Sequence, residues 1–230
     1  KLEIYDSQGK LLSTTPGGKR RGLNRVDWAV RSKAPRTPAA ASIIPSYYAF
    51  LGPRALEGTY TVKMIKGKET YTTTVDLVPD PRSTHTAEDR VLQRETAWKL
   101  YALLERLTFT VESIADARDQ ATARAEKLPQ GESLRKRLTG LADELEKQRT
   151  ALVASKEAEG GISGEEKLRE EIGMLYGNVN GYEGRPTQSQ IQRMGVLGKQ
   201  LDAAFARFEA SFKKEAEPLS GQLKRGKLEP

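Results

Sequence analysis

The spacing of apolar residues changes once along this chain, near Thr86, and that change limits the folds open to it. Before Thr86 apolar residues recur at every second position, the repeat of a strand with one buried face. After it they recur in steps of three and four, the repeat of a helix packed among others. Charge changes at the same place: residues 1–85 carry 14 Lys plus Arg against 7 Asp plus Glu, whereas residues 86–230 carry 24 of each. The net charge of +7 therefore belongs to the first segment, and the two shifts together predict a domain boundary. The expected division is 1–80, a β domain; 81–86, a linker containing Pro81 and His85; and 87–230, a helical domain.

In the first segment Leu2 and Ile4, then Leu11 and Leu12, flank "DSQGK", whose Asp6 and Gly9 supply hairpin turn chemistry. Tyr60, Val62 and Met64 alternate, "KGK" turns the chain, and Tyr71, Thr73, Val75 and Leu77 return it. Val26, Trp28 and Val30 alternate in "RGLNRVDWAV", which predicts another strand with Trp28 in the core. Several strands with no helix between them point to an antiparallel β-sandwich. Residues 33–58 form a long connection rich in Pro and Ala that still carries Ile43, Ile44, Tyr47, Tyr48 and Phe50. So apolar a connection is expected to cover something, either the strands and helices of this chain or a preceding domain for which these five residues form a docking surface.

The second segment predicts four helices. Thr86 and Asp89 stand at capping-box spacing before Leu100, Leu104, Leu107, Val111, Ile114, Ala121 and Ala125, a seam interrupted by Arg118. "LPQGES" breaks the pattern, and Leu134, Leu138, Leu141, Leu145 and Leu152 resume it. "EGGISGEE" ends that helix, and Ser163 with Glu166 is expected to cap a third carrying Leu168, Ile172, Leu175 and Val179. Thr187 and Gln190 cap a fourth with Ile191, Met194, Leu201, Phe205, Phe208 and Phe212, which Pro218 should disturb. Alternating threes and fours with short connections predict an antiparallel four-helix bundle, and unmatched seam on the longer helices would drive pairing with a second copy.

No catalytic, metal-binding or cofactor-binding constellation stands out. The chain has no Cys and one His, His85, which excludes disulfides, thiolate metal sites and paired Glu-x-x-His iron ligands, and leaves a serine nucleophile without a base. Adjacent acids such as Asp143–Glu144 and Glu170–Glu171 point apart on a helix, unlike the two carboxyls that glycoside hydrolysis needs roughly 5–10 Å apart. Lys19, Arg20, Arg21 and Arg25 form the one polyanion-binding candidate. Phosphate contact needs only clustered cations, but single-strand recognition also needs free aromatic platforms, and Trp28 is assigned to the core; nucleic acid is therefore the weaker reading. "GGKRR" lacks the hydroxyl residue of a phosphate-binding loop. No apolar run approaches the roughly 18 residues of a membrane span. The opening "KLEIYD" starts without Met and already alternates, which predicts a piece of a longer protein with any targeting signal upstream.

The stretches "IYDSQGKLL", "GLNRVDWAVR", "GPRALEGTYTV" and "LVPDPR" resemble the C-terminal region of bacterial BNR-repeat or sortilin-like β-propeller proteins labelled glycosyl hydrolases. The resemblance spans residues 1 to about 82 in motif detail. It implies an immunoglobulin-like domain similar to that of the flagellar hook-capping protein, followed by a helical tail. It further implies an exported, extracytoplasmic parent whose upstream propeller holds any hydrolase chemistry and is the partner of this region. Ala29 follows Trp28 where the family commonly has an acid, and Asp27 precedes it, so no role tied to that acid carries over. On this reading the chain is an accessory module and not an enzyme; the alternatives are a glycosidase-like hydrolase whose convergent acids line a deep cleft between the sandwich and the bundle, and a basic polyanion-binding module.

Overall fold

The computed structural model describes residues 1–39, 41, 49–155 and 165–225. Four strands come first, β1 (Leu2–Tyr5), β2 (Leu11–Thr15), β3 (Gly58–Lys66) and β4 (Glu69–Leu77). Four helices follow, α1 (Ala87–Glu126), α2 (Ser133–Leu152), α3 (Leu168–Gly181) and α4 (Gln188–Arg225). The strands make one antiparallel sheet in the order β2-β1-β3-β4.

Each hairpin follows from its turn. The Asp6 carboxylate accepts from the backbone N–H groups of Gln8 and Lys10, an Asx-type bracket that closes β1 onto β2. In the β3–β4 hairpin Lys66 faces Glu69 across a two-residue loop, and Gly67 takes φ +61°, which a side chain would resist. The register places Leu2, Ile4, Tyr60, Val62, Met64, Tyr71, Val75 and Leu77 on one face of the sheet. Glu3, Lys63 and a ladder of threonines occupy the other. Only the middle of the apolar face is closed: Ile4 and Tyr60 are buried, whereas Met64, Tyr71 and Val75 are exposed.

The strand expected over Val26–Val30 is absent. Residues 23–29 have no strand partner, and alternation yields a strand only where a neighbouring strand takes up its backbone groups. Val30 sits at φ +57°, a region that β-branched residues rarely occupy, and its side chain turns outward. Trp28 turns inward but is only half-buried, short of the core position expected for it. Its ring meets Tyr60 edge-on at 5.3 Å and its indole N–H donates to the Arg31 carbonyl at 3.0 Å, so it covers the closed part of the sheet from a loop. Among the described residues there is one sheet and not the two that a sandwich requires.

The helices share one apolar cluster in which Leu100, Leu104, Leu107 and Ile114 of α1, Leu145 of α2, Ile172 of α3 and Leu197 and Leu201 of α4 are fully buried. Both predicted capping boxes at Thr86 and Thr187 form, with reciprocal hydrogen bonds to Asp89 and Gln190. Arg118, the misfit on the α1 seam, is half-buried and pairs with Glu146 of α2, so the seam continues there as an ion pair. Three expectations are corrected. The third helix starts at Leu168 with Lys167 as its N-cap and no side-chain cap bond; Glu166 precedes it, and Ser163 lies outside the described residues. Pro218 sits inside α4, which continues to Arg225. Phe205 and Phe208 are half-buried and Phe212 is exposed, because the inward face of α4 is carried by Leu197, Leu201 and Leu219.

Candidate functional site

Residues 31–39 and 49–57 are bound to the helices by a buried polar seam. Asn180, near the end of α3, donates through Nδ2 to the carbonyls of Leu51 at 3.0 Å and Gly52 at 3.2 Å, and its Oδ1 accepts from the Arg31 guanidinium at 3.0 Å. The Tyr176 hydroxyl, one helical turn earlier, donates to the Leu51 carbonyl at 2.6 Å. Arg31 also donates to the Gly52 carbonyl at 2.9 Å. Gly52 permits this closeness, since a Cβ there would lie 2.1 Å from the Ser32 carbonyl oxygen. Further along, Arg169 Nε donates to the Pro38 carbonyl at 2.7 Å, and Arg169 pairs with Glu170 at 2.9 Å in a buried ion pair. Arg90 of α1 pairs with Glu57, and Lys10 of the first turn lies 5.1 Å from the Trp98 ring of α1.

The seam sets the ionisation of its members. Burial pushes the Tyr176 phenol well above its ordinary 10.0, against the opposing pull of Arg31. Burial, reinforced by Arg54, lowers the Arg31 guanidinium. A raised folded-state pKa for Tyr176 means that the unfolded chain loses this proton first as pH rises, so native stability falls above pH 10. Chemical denaturation at pH 9 and pH 11 checks this: the loss between the two is expected to be smaller in Tyr176→Phe, and an equal loss would remove Tyr176 from the account.

The proposed docking residues Ile43, Ile44, Tyr47 and Tyr48 lie outside the described residues. Phe50 is exposed, whereas its neighbour Ala49 is buried in the helical cluster, so the connection packs on the helices at that point. The cations Lys19, Arg20, Arg21 and Arg25 share an exposed loop, shaped by the Asn24 amide donating to the carbonyls of Arg20 and Gly22. Arg25 pairs with Asp27 at 3.3 Å; Lys19, Arg20 and Arg21 have no ion-pair partner among the described residues.

Several of the acids are engaged by cations and hydrogen-bond donors. Arg149 and Arg118 hold Glu146 down to about 2, and Arg82 lowers Asp80. Arg185 lowers Asp89, while backbone and Thr86 hydrogen bonds lower Glu88. A groove of about 310 Å³ between α1 and α4 is lined by Arg36, Glu105, Arg106, Phe109, Thr110 and Phe205. Its charges are spent on one another and on its rim: Arg36 pairs with Glu105 at 3.0 Å and with Glu112 at 3.4 Å, and Arg106 pairs with Asp202 at 2.5 Å. His85 is half-buried, with its ring 5.8 Å from that of Tyr182. Among the described residues no group of three or more His, Cys, Asp or Glu side chains is placed to hold a metal ion, and no helix is long and apolar enough to cross a membrane.

No protein-family model matches this chain, and no curated protein or solved structure does either. The seam residues Tyr176, Asn180 and Arg169 are not among the sequence-derived candidates, and Arg31 stands out in the sequence only as one cation following the basic run. A partial signal exists in α3: Tyr176 and Asn180, four apart, continue the face begun by Ile172, where polar tips need buried partners.

Proposed function

We propose that this chain is a non-catalytic structural module, the C-terminal accessory part of an exported protein whose upstream β-propeller it supports. In this reading an immunoglobulin-like β layer is joined to an up-and-down four-helix bundle, and residues 31–39 and 49–57 hold the two in fixed orientation. The observation that carries the reading is the buried seam of Arg31, Leu51, Gly52, Tyr176 and Asn180. Buried, mutually satisfied polar groups fix geometry, which is what a supporting module requires and what a cleft that must open to substrate does not.

The carboxylates favour the same reading over a hydrolase. A general acid of a glycosidase needs a raised pKa, whereas the carboxylates that neighbours shift among the described residues, Glu3, Asp80, Glu88, Asp89 and Glu146, are all shifted downward. The test is a substrate screen of the purified chain against oligosaccharides and aryl glycosides. No turnover above buffer is expected. Reproducible turnover abolished by Glu105→Gln, the acid of the groove, would overturn the proposal.

A further inference from the structure

β4 is an unprotected edge. It runs for nine residues, and every residue from Glu69 to Asp76 is exposed. Native sheets protect long edges with Pro, Lys, bulges or covering segments. β4 contains neither Pro nor Lys and pairs with β3 without a bulge, and no backbone group of another described segment bonds to it. The opposite edge is treated differently, since β2 is short and the Lys33 N–H donates to its Leu12 carbonyl.

The register shows which groups are free. Lys66 and Glu69 flank a two-residue turn and so form a hydrogen-bonded pair, and bonding alternates from there along the ladder. Residues 69, 71, 73, 75 and 77 therefore bond to β3, while the N–H and C=O groups of Thr70, Thr72, Thr74 and Asp76 point outward.

We infer that two copies of this chain associate through antiparallel pairing of β4 with β4, joining the two sheets into one of eight strands. The strand is complementary to itself. With the two-fold axis at Thr73, all nine residues overlap: Thr72 faces the other copy's Thr74, Thr70 faces Asp76, Tyr71 faces Val75 and Glu69 faces Leu77. The outward-pointing residues then exchange about eight hydrogen bonds. Tyr71 and Val75, both exposed, become cross-strand aromatic and β-branched pairs on the open apolar face. No like charges stand opposite one another, and the turn residue Lys68 lies diagonally beside Asp76 of the other copy, twice by symmetry. A second copy thus satisfies the free backbone groups and covers the exposed apolar residues together, and it brings a cation beside Asp76, which within its own chain accepts from the Thr59 hydroxyl. The inference holds whether or not the chain supports a propeller.

The absence of Cys makes the register directly testable. Thr73 meets its own symmetry mate in a non-hydrogen-bonded pair, with Cα atoms about 4.5 Å apart, within the range a disulfide spans. On mild oxidation of the 230-residue chain, Thr73→Cys is expected to give a covalent dimer, and Thr70→Cys, which faces Asp76, is not. Sedimentation of the unmodified chain up to about 100 μM should show a reversible dimer. Thr74→Pro, which deletes an outward N–H and leaves the β3 ladder intact, should weaken that dimer at least tenfold with an unchanged far-UV spectrum. If Thr74→Pro unfolds the chain, Thr72→Lys serves in its place. A monomer throughout that range would overturn the inference. So would a dimer indifferent to the edge substitutions, or cross-linking as strong at residue 70 as at residue 73.

Discussion

Replacing Arg169 with leucine is expected to cost about 3–5 kcal/mol of folding stability, because it leaves the Glu170 carboxylate buried without its cation. Both side chains are nearly inaccessible, at 2% and 6% exposure. The Arg169 guanidinium also donates to the Pro38 carbonyl, so one substitution removes a counter-charge and a tie between α3 and the connecting segment. The position of Glu170 in the first turn of α3 offsets part of the loss, since the helix N-terminus favours negative charge there. Glu170 Oε2 has no hydrogen-bond partner among the described residues, which leaves that oxygen little to fall back on. Urea denaturation at neutral pH measures the cost. The double substitution Arg169→Leu with Glu170→Leu should recover much of it, because an apolar pair needs no compensation. A single variant within about 1 kcal/mol of the parent would show that water reaches the pair and that its burial is not maintained in solution.

The parts of this structure that were legible in the sequence are those specified by neighbours along the chain. Asp6 closes its hairpin through residues two and four positions on; Gly67 turns β3 into β4; Thr86 with Asp89 and Thr187 with Gln190 start helices within a single turn. Arg118 looked like a flaw in the α1 seam because its partner, Glu146, stands on another helix. The segment around Trp28 misled for a related reason. Its alternation satisfies the local requirement for a strand, but no partner strand stands beside it among the described residues, and Val30 at φ +57° turns the chain into a bridge between Arg31 and Arg54 instead. Trp28 still meets Tyr60, so its inward orientation was legible where its secondary structure was not. The seam was least legible. Arg31 and Asn180 are 149 residues apart, and Arg169 and Pro38 are 131 apart, distances across which residue spacing carries no information. Polar side chains on such seams look like ordinary surface residues until the fold brings their partners to them.

The second large effect is expected at Asn180, where a change to leucine should cost about 2–3 kcal/mol and loosen the connecting segment selectively. Asn180 is 2% exposed; the two hydrogens of its Nδ2 are shared among the carbonyls of Leu51 and Gly52 and the Tyr176 hydroxyl, and its Oδ1 accepts from Arg31. Leucine is similar in size, so the loss comes from hydrogen bonding more than from a cavity. The damage is shared rather than total. Leu51 keeps its bond from Tyr176, and Gly52 keeps its bond from Arg31. What goes is one of three acceptors of the Arg31 fork, which keeps the backbone carbonyls of Gly52 and Asn180, and Arg31 leads the short ribbon in which Ser32 N–H donates to Pro53 and Ala55 N–H donates to Val30. Amide exchange at Ser32 and Ala55 should therefore quicken by tenfold or more in Asn180→Leu, while amides in the middle of α1 change only with global stability. Tyr176→Phe, which removes the hydroxyl's bond to Leu51 and its bond from Asn180 but leaves the Asn180 bond to Leu51 in place, should cost about 1–2 kcal/mol. The two substitutions share the Leu51 carbonyl, so together they should cost more than the sum of the separate effects, because only then does that buried oxygen lose both donors. Strict additivity, or exchange at Ser32 and Ala55 that tracks the α1 amides in every variant, would mean that these contacts do not act as one seam holding the connecting segment to the helices.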